Sequence, residues 1–130
     1  MKKKIKICIV RSKYNNTSLL LRSATKELSK RKIKYKILEV PGAFEIPVLI
    51  ARNINRYDGF IAVGSIIKGK TPNFDFISQA ITSGFIQLSI FNKKPIGNAV
   101  LTCLNKKQAN LRADKGREAA IAVSNVLNAK

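Results

Sequence analysis

Residues 59 to 67 read Gly59-Phe60-Ile61-Ala62-Val63-Gly64-Ser65-Ile66-Ile67, the most apolar stretch of the chain and the one that decides its fold. Its apolar residues follow one another without the polar alternation of a half-exposed strand. Such a run suits a central parallel strand covered on both faces. A turn holding Gly69 and Pro72 comes next, and Phe74, Ile77, Ile81, Gly84, Phe85 and Leu88 then trace one face of a long helix.

Upstream, residues 5 to 10 are near-continuously apolar, and Asn15, Asn16 and Thr17 follow with side-chain oxygens suited to capping a helix. Leu20, Leu21, Ala24 and Leu28 recur at helical spacing, and Lys30, Arg31 and Lys32 suit the negative end of that helix. Residues 33 to 40 alternate as a second strand, closed by Pro41 and Gly42. From 43 to 54, Phe44, Pro47, Val48, Ile50, Ala51 and Ile54 fit a helix with Pro47 in its first turn. Downstream, Pro95 precedes a fourth strand over 98 to 104, and Ala119, Ala120, Val123, Val126 and Leu127 mark a last helix. Strands alternating with helices through short connections imply right-handed crossovers. The expectation is one α/β domain over residues 1 to 130, three-layered, with a four-stranded parallel sheet and helices on both faces.

Composition narrows the function. The chain has 130 residues and no histidine, which excludes any imidazole triad, zinc site or proton shuttle built from this chain alone. Cys8 and Cys103 sit in apolar, strand-like runs and read as buried thiols, with no disulfide or metal site indicated. No apolar run reaches the roughly 18 residues a membrane span needs, and no secretory cleavage pattern follows the Lys-rich start. A cytoplasmic protein without a membrane partner is expected. The 25 Lys and Arg against 7 Asp and Glu give a net charge of +18, which attracts phosphate-bearing ligands and polymers. The charges are scattered without an aromatic-interleaved basic face, so a specific nucleic-acid partner is not expected. A nucleic-acid-binding oligomer is the reading that charge alone supports.

In open parallel sheets, ligands bind beyond the carboxyl ends of the strands, which directs attention to segments 11–16, 41–45, 64–73 and 102–112. Thr71 can cap the long helix with Pro72 at its first position, leaving free N–H groups beside Lys68 and Lys70, a natural phosphate site. Gly64, Gly69, Lys70 and Thr71 formally match a P-loop, but the residues between are β-branched strand rather than a flexible cradle. The alternative is a plain strand-to-helix turn. Pro41-Gly42-Ala43-Phe44-Glu45-Ile46-Pro47 presents a ring and a carboxylate on a rigid turn, although a core phenylalanine and a helix-start glutamate would look the same. Arg112, in Gln108-Ala109-Asn110-Leu111-Arg112-Ala113, could hold a phosphate or carboxylate bidentately or be a solvated helix charge.

Taken together, these segments resemble the lumazine synthase family, which performs the penultimate step of riboflavin biosynthesis. The resemblance rests on residues 41 to 47, on Gly64 through Phe76 with its Lys-Gly-x-Thr-Pro-x-Phe-Asp core, on Val100-Leu101-Thr102, on Gln108-Ala109-x-x-Arg112-Ala113 and on Lys115-Gly116-x-Glu118-Ala119-Ala120. It implies a flavodoxin-like fold and a cofactor-free condensation of 5-amino-6-(D-ribitylamino)uracil with 3,4-dihydroxy-2-butanone 4-phosphate. The products are 6,7-dimethyl-8-ribityllumazine, phosphate and water. By position, the resemblance implies that Ala43, Phe44 and Glu45 hold the ribityl chain, and that Ser65, Ile66 and Ile67 contact the pyrimidine. It places the phosphate on Lys70, Thr71 and Arg112, the last also counted as catalytic, and includes Lys115 among the substrate-binding residues. It also implies a homo-oligomer, pentamer-based, with sites between subunits.

The chain departs from the pattern at identifiable points. Asn73 stands where the family carries a histidine that is thought to move protons. Asn cannot titrate, and general acid–base groups contribute about a hundred- to ten-thousand-fold, so a slower enzyme is expected. Ungapped counting puts Ser12 where the family stacks a ring on the pyrimidine, and Tyr14, two residues on, is the other candidate for that space. Asn98 replaces an aromatic near the start of the fourth strand, so stacking is weakened there too. The missing histidine, Ser12 and Asn98 support one alternative, a noncatalytic member acting as a ligand-binding or structural homo-oligomer.

Overall fold

The structure is a computed structural model that describes residues 4–69 and 73–129. The chain runs β1 (Lys6–Ser12), α1 (Ser18–Lys30), β2 (Lys34–Val40), a 3-10 turn (Ala43–Glu45), α2 (Ile46–Arg52), β3 (Gly59–Ile67), α3 (Asn73–Asn92), β4 (Ile96–Cys103), α4 (Lys106–Leu111) and α5 (Lys115–Asn128). All strand pairs are parallel, in the order β2-β1-β3-β4. That is the flavodoxin-like order of a doubly wound sheet. Residues 59 to 67 form its buried inner strand, as their uninterrupted apolar run requires.

Strand alternation divides the core into two layers. Ile7, Ile9, Ile61, Val63, Ala99 and Leu101 face α1 and α5, packing on Leu20, Ala24, Leu28, Ala120 and Val123. Cys8, Val10, Val40, Phe60 and Ala62 face the other way, against Ile46 and Ile50 of α2 and Ile81 and Phe85 of α3. Gly116 lets α5 lie directly on α1, because a Cβ there would overlap the Leu20 carbonyl oxygen and the Ser23 hydroxyl. No helix among the described residues is long and apolar enough to cross a membrane.

Three local expectations are corrected and one short helix is added. Residues 43 to 54 do not form one helix: a 3-10 turn precedes α2, which ends at Arg52, with Pro47 in its first turn as expected. Its buried residues are Ile46 and Ile50, whereas Phe44 and Val48 are exposed. Of the three residues read as caps, Thr17 holds the N-cap position without a side-chain cap bond, Asn16 Oδ1 accepts the Ser18 N–H, and Asn15 turns away from the helix; both asparagines take left-handed φ, 67° and 50°. The fourth strand begins at Ile96, immediately after Pro95, whose carbonyl already accepts the Phe60 N–H at 3.0 Å. Residues 106 to 111 form α4, capped by Asn105, whose side chain accepts the Gln108 N–H.

Candidate functional site

The crossovers from β1 and β3 leave on opposite sides of the sheet, α1 into one layer and α3 into the other. Adjacent strands whose connections diverge open a crevice at their carboxyl ends. At its floor lies Ser12, fully buried, on the α2 side of the sheet. A Cβ on Gly64 would stand 2.9 Å from the Ser12 Oγ, 3.3 Å from Ile46 Cδ1 and 3.5 Å from Ala43 Cβ. The absent side chain at 64 is thus what admits the 3-10 turn and the serine together. The Ser12 hydroxyl has no hydrogen-bond partner among the described residues.

The turn after β1 is pinned at three points. Lys13 N–H donates to the Val40 carbonyl and Tyr14 N–H to the Pro41 carbonyl, each at 3.0 Å. Asn15 Nδ2 donates to the Ser65 carbonyl at 2.9 Å. Thr17 turns inward, its hydroxyl donating to the Ser12 carbonyl at 2.6 Å and accepting from Arg11 Nε at 3.0 Å. Ser12 is therefore locked in the interior, while Tyr14 is 72% exposed beside the crevice.

Opposite it, Gly42 N–H donates to Glu45 Oε1 at 3.0 Å while Glu45 N–H donates to the Gly42 carbonyl at 3.2 Å. This closed ring fixes the carboxylate, which is half-buried, as is Ala43. Phe44 is 64% exposed, so it is not the core residue that composition alone would favour. At the end of β3, Ile66 packs toward α2 and α3. Ser65 is buried on the other face, in register with Leu101, its hydroxyl without a protein partner among the described residues. Ile67 is half-buried. Lys70 and Thr71 lie outside the described residues. Asn73 is exposed at the first position of α3.

Arg112 and Lys115 are elsewhere. They line an open cleft of about 470 Å³ with Val100, Thr102, Leu111, Asp114 and Glu118, off the β4 edge of the sheet. Asn98 is exposed on β4, its side-chain oxygen accepting the Val100 N–H at 3.0 Å. One chain thus gathers Ser12, Tyr14, Ala43, Phe44, Glu45 and residues 65 to 67 at the crevice. It leaves Arg112, Lys115 and Asn98 along the β4 side, with β3 between. Among the described residues no group of three or more Cys, Asp or Glu could hold a metal ion. Burial pushes the Cys8 thiol up to about 11, with Lys36 pulling the other way, so this thiol is no nucleophile at neutral pH.

Sequence reasoning missed two positioning residues, Asn15 and Gly64. The consecutive Asn15 and Asn16 were the available signal for the first, since asparagine tolerates left-handed backbone better than most side chains. For Gly64 the signal was a glycine inside an otherwise unbroken strand.

A family model described as 6,7-dimethyl-8-ribityllumazine synthase matches residues 4–130. Among curated relatives, the chain is similar to a 6,7-dimethyl-8-ribityllumazine synthase of Paenarthrobacter aurescens, 43% identical over 93 residues, which covers 66% of this chain and 58% of the relative. It is likewise similar to that of Streptomyces coelicolor, 43% identical over 94 residues, covering 66% and 58%. A Corynebacterium kroppenstedtii relative with the same description is 35% identical over 127 residues, covering 91% of this chain and 80% of the relative. The first two alignments span less than two thirds of the relatives' own length.

Proposed function

The chain belongs to the 6,7-dimethyl-8-ribityllumazine synthase family, and we propose that it condenses 5-amino-6-(D-ribitylamino)uracil with 3,4-dihydroxy-2-butanone 4-phosphate, slowly, at a site shared between two copies of the chain in the cytoplasm. The observation that carries this reading is the division of the residues into two half-sites. The crevice offers a ring, a fixed carboxylate and apolar walls, while the cation pair of Arg112 and Lys115 stands at the β4 edge. A second copy set against that edge completes both halves, and a pentamer is the ring that the family resemblance implies.

Each group then has a task. Glu45 accepts hydrogen bonds from ribityl hydroxyls beside Ala43 and Phe44. Tyr14 stacks on the pyrimidine, because Ser12 is sealed beneath it, and Ile66 and Ile67 border the ring. Asn98 lies at the facing edge. Lys70, Thr71 and Arg112 hold the phosphate, with Lys115 beside them. Asn73 at the start of α3 can hydrogen-bond the reacting groups but cannot carry a proton. The rate enhancement must then come from positioning, which can lower a barrier by several kcal/mol, on the order of 7–11 in the best cases. No cofactor is required.

The test is to mix the purified protein with both substrates and follow the fluorescent lumazine. Formation faster than the spontaneous reaction supports the proposal. Tight binding of the lumazine with no excess rate would favour the second reading, a noncatalytic ligand-binding or structural homo-oligomer, for which Asn73 is the specific motive.

A further inference from the structure

The sheet face that carries α2 is only partly covered. The seven residues of α2 make about 10 Å of helix, whereas the seven of β2 extend about 23 Å. Only Leu38 and Val40 of β2 pack into the core on this side. Lys34, Tyr35, Lys36 and Ile37 are all exposed. Register sets Lys6 beside Lys34 and Cys8 beside Lys36. Since Cys8 faces this layer, the side chains of Lys6, Lys34 and Lys36 share the open face. Arg52 in the last turn of α2 and Arg56 in the loop that leads to Asp58 are also exposed.

The acids around this face are already used. Asp58 accepts the Lys6 backbone N–H at 2.9 Å. Glu39 lies toward the other end of β2, paired with Arg11 and Lys13, and Glu27 is held by Arg31 and Arg117. Lys6 Nζ is also held in place, 5.6 Å over the Tyr57 ring. The lysine positions stand about 4.8 Å apart across the strands and about 6.6 Å apart along β2.

We propose that this open face, with Lys6, Lys34, Lys36, Arg52 and Arg56, binds the phosphodiester backbone of single-stranded nucleic acid without reading its sequence. Closely spaced ammonium groups are point-charge partners for phosphate oxygens, and the net charge of +18 adds long-range attraction. An anionic membrane is less well matched, because stable surface binding combines charge with apolar anchors. The exposed apolar residues of β2, Tyr35 and Ile37, are in register with Ile7 and Ile9, which face the opposite layer.

The experiment is a fluorescence anisotropy titration of labelled oligouridylate with the full-length protein at increasing NaCl. The variant Lys6→Gln/Lys34→Gln/Lys36→Gln is compared with Lys26→Gln/Lys106→Gln/Lys107→Gln, which removes equal charge elsewhere. Circular dichroism confirms that both remain folded. Each phosphate contact contributes about 0.7 to the log–log salt slope, so the first variant is expected to lose about two from that slope. The second is expected to keep it. Equal losses in both variants, or absence of binding, would overturn the proposal. So would binding of phosphatidylserine vesicles or polyglutamate that depends on the same three lysines and exceeds that of the oligonucleotide.

Discussion

Asn15 and Ser65 are joined across the crevice: the asparagine Nδ2 donates to the serine carbonyl at 2.9 Å from a backbone φ of 67°. The bond ties the turn that presents Tyr14 to the end of the central strand. Glycine at 15 keeps the backbone and loses the bond, whereas alanine loses the bond and strains the backbone. A partly buried hydrogen bond contributes about 1 kcal/mol and left-handed backbone costs a Cβ-bearing residue about 1–2 kcal/mol. Urea denaturation is therefore expected to rank wild type above Asn15→Gly above Asn15→Ala. The reverse order of the two variants would contradict this role.

Asn73→His is expected to raise kcat by about a hundredfold, the lower end of the range for a general acid–base group. It should also introduce an inflection in the pH–rate profile near or below the ordinary histidine value of about 6.5, since the positive end of α3 disfavours imidazolium. Steady-state rates from pH 5 to 9 measure both effects. An unchanged rate and profile would mean that proton transfer does not limit the reaction.

Glu27, buried in α1, binds Arg31 at 2.7 Å and Arg117 of α5 at 3.4 Å. The Arg31 hydrogen bond, aided by the charges of Arg31, Lys30 and Arg117 and opposed by burial, holds its carboxyl below the ordinary carboxylate range. A depressed native pKa stabilises the fold at pH above the unfolded value, and that stabilisation fades as pH falls through the native one. Denaturation midpoints are expected to drop through the carboxylate range in wild type and to drop less steeply in Glu27→Gln. Parallel curves would show that the ion pairs do not couple to stability.

Gly116→Ala tests the same seam between α1 and α5. The added methyl meets the Leu20 carbonyl and the Ser23 hydroxyl, and backbone cannot yield as a flexible side chain can. Overpacking of this kind typically costs about 1–3 kcal/mol, and the upper end is expected by chemical denaturation. A change under about half a kcal/mol would show that the helices can separate without loss.

The layering of the fold was legible because its strongest signals are periodic. Residues 59 to 67 had to lie inside, and Leu20, Ala24 and Leu28 had to face a sheet. What was not legible depended on contacts between distant segments. That Ser12 is buried at the crevice floor while Tyr14 stays exposed depends on Thr17 binding the Ser12 carbonyl and on Gly64 making room, and neither follows from local propensity. The 3-10 turn at Ala43–Glu45 arises from the reciprocal bonds of Gly42 and Glu45, which interrupt a pattern that otherwise reads as helix. The placement of Arg112 apart from Glu45 is topological, because β3 and β4 intervene between β1 and the cleft.

The central proposal is a lumazine-forming site shared between copies, and complementation tests it most directly. Tyr14→Ala impairs the crevice and Arg112→Ala impairs the β4-edge cleft. Each variant alone is expected to form lumazine well below the wild-type rate. Co-refolding the two is expected to restore part of that rate, because some pairings then bring an intact crevice against an intact cleft. If the mixed oligomers, verified by mass, are no faster than the average of the two parents, the site does not span two chains and the account is wrong.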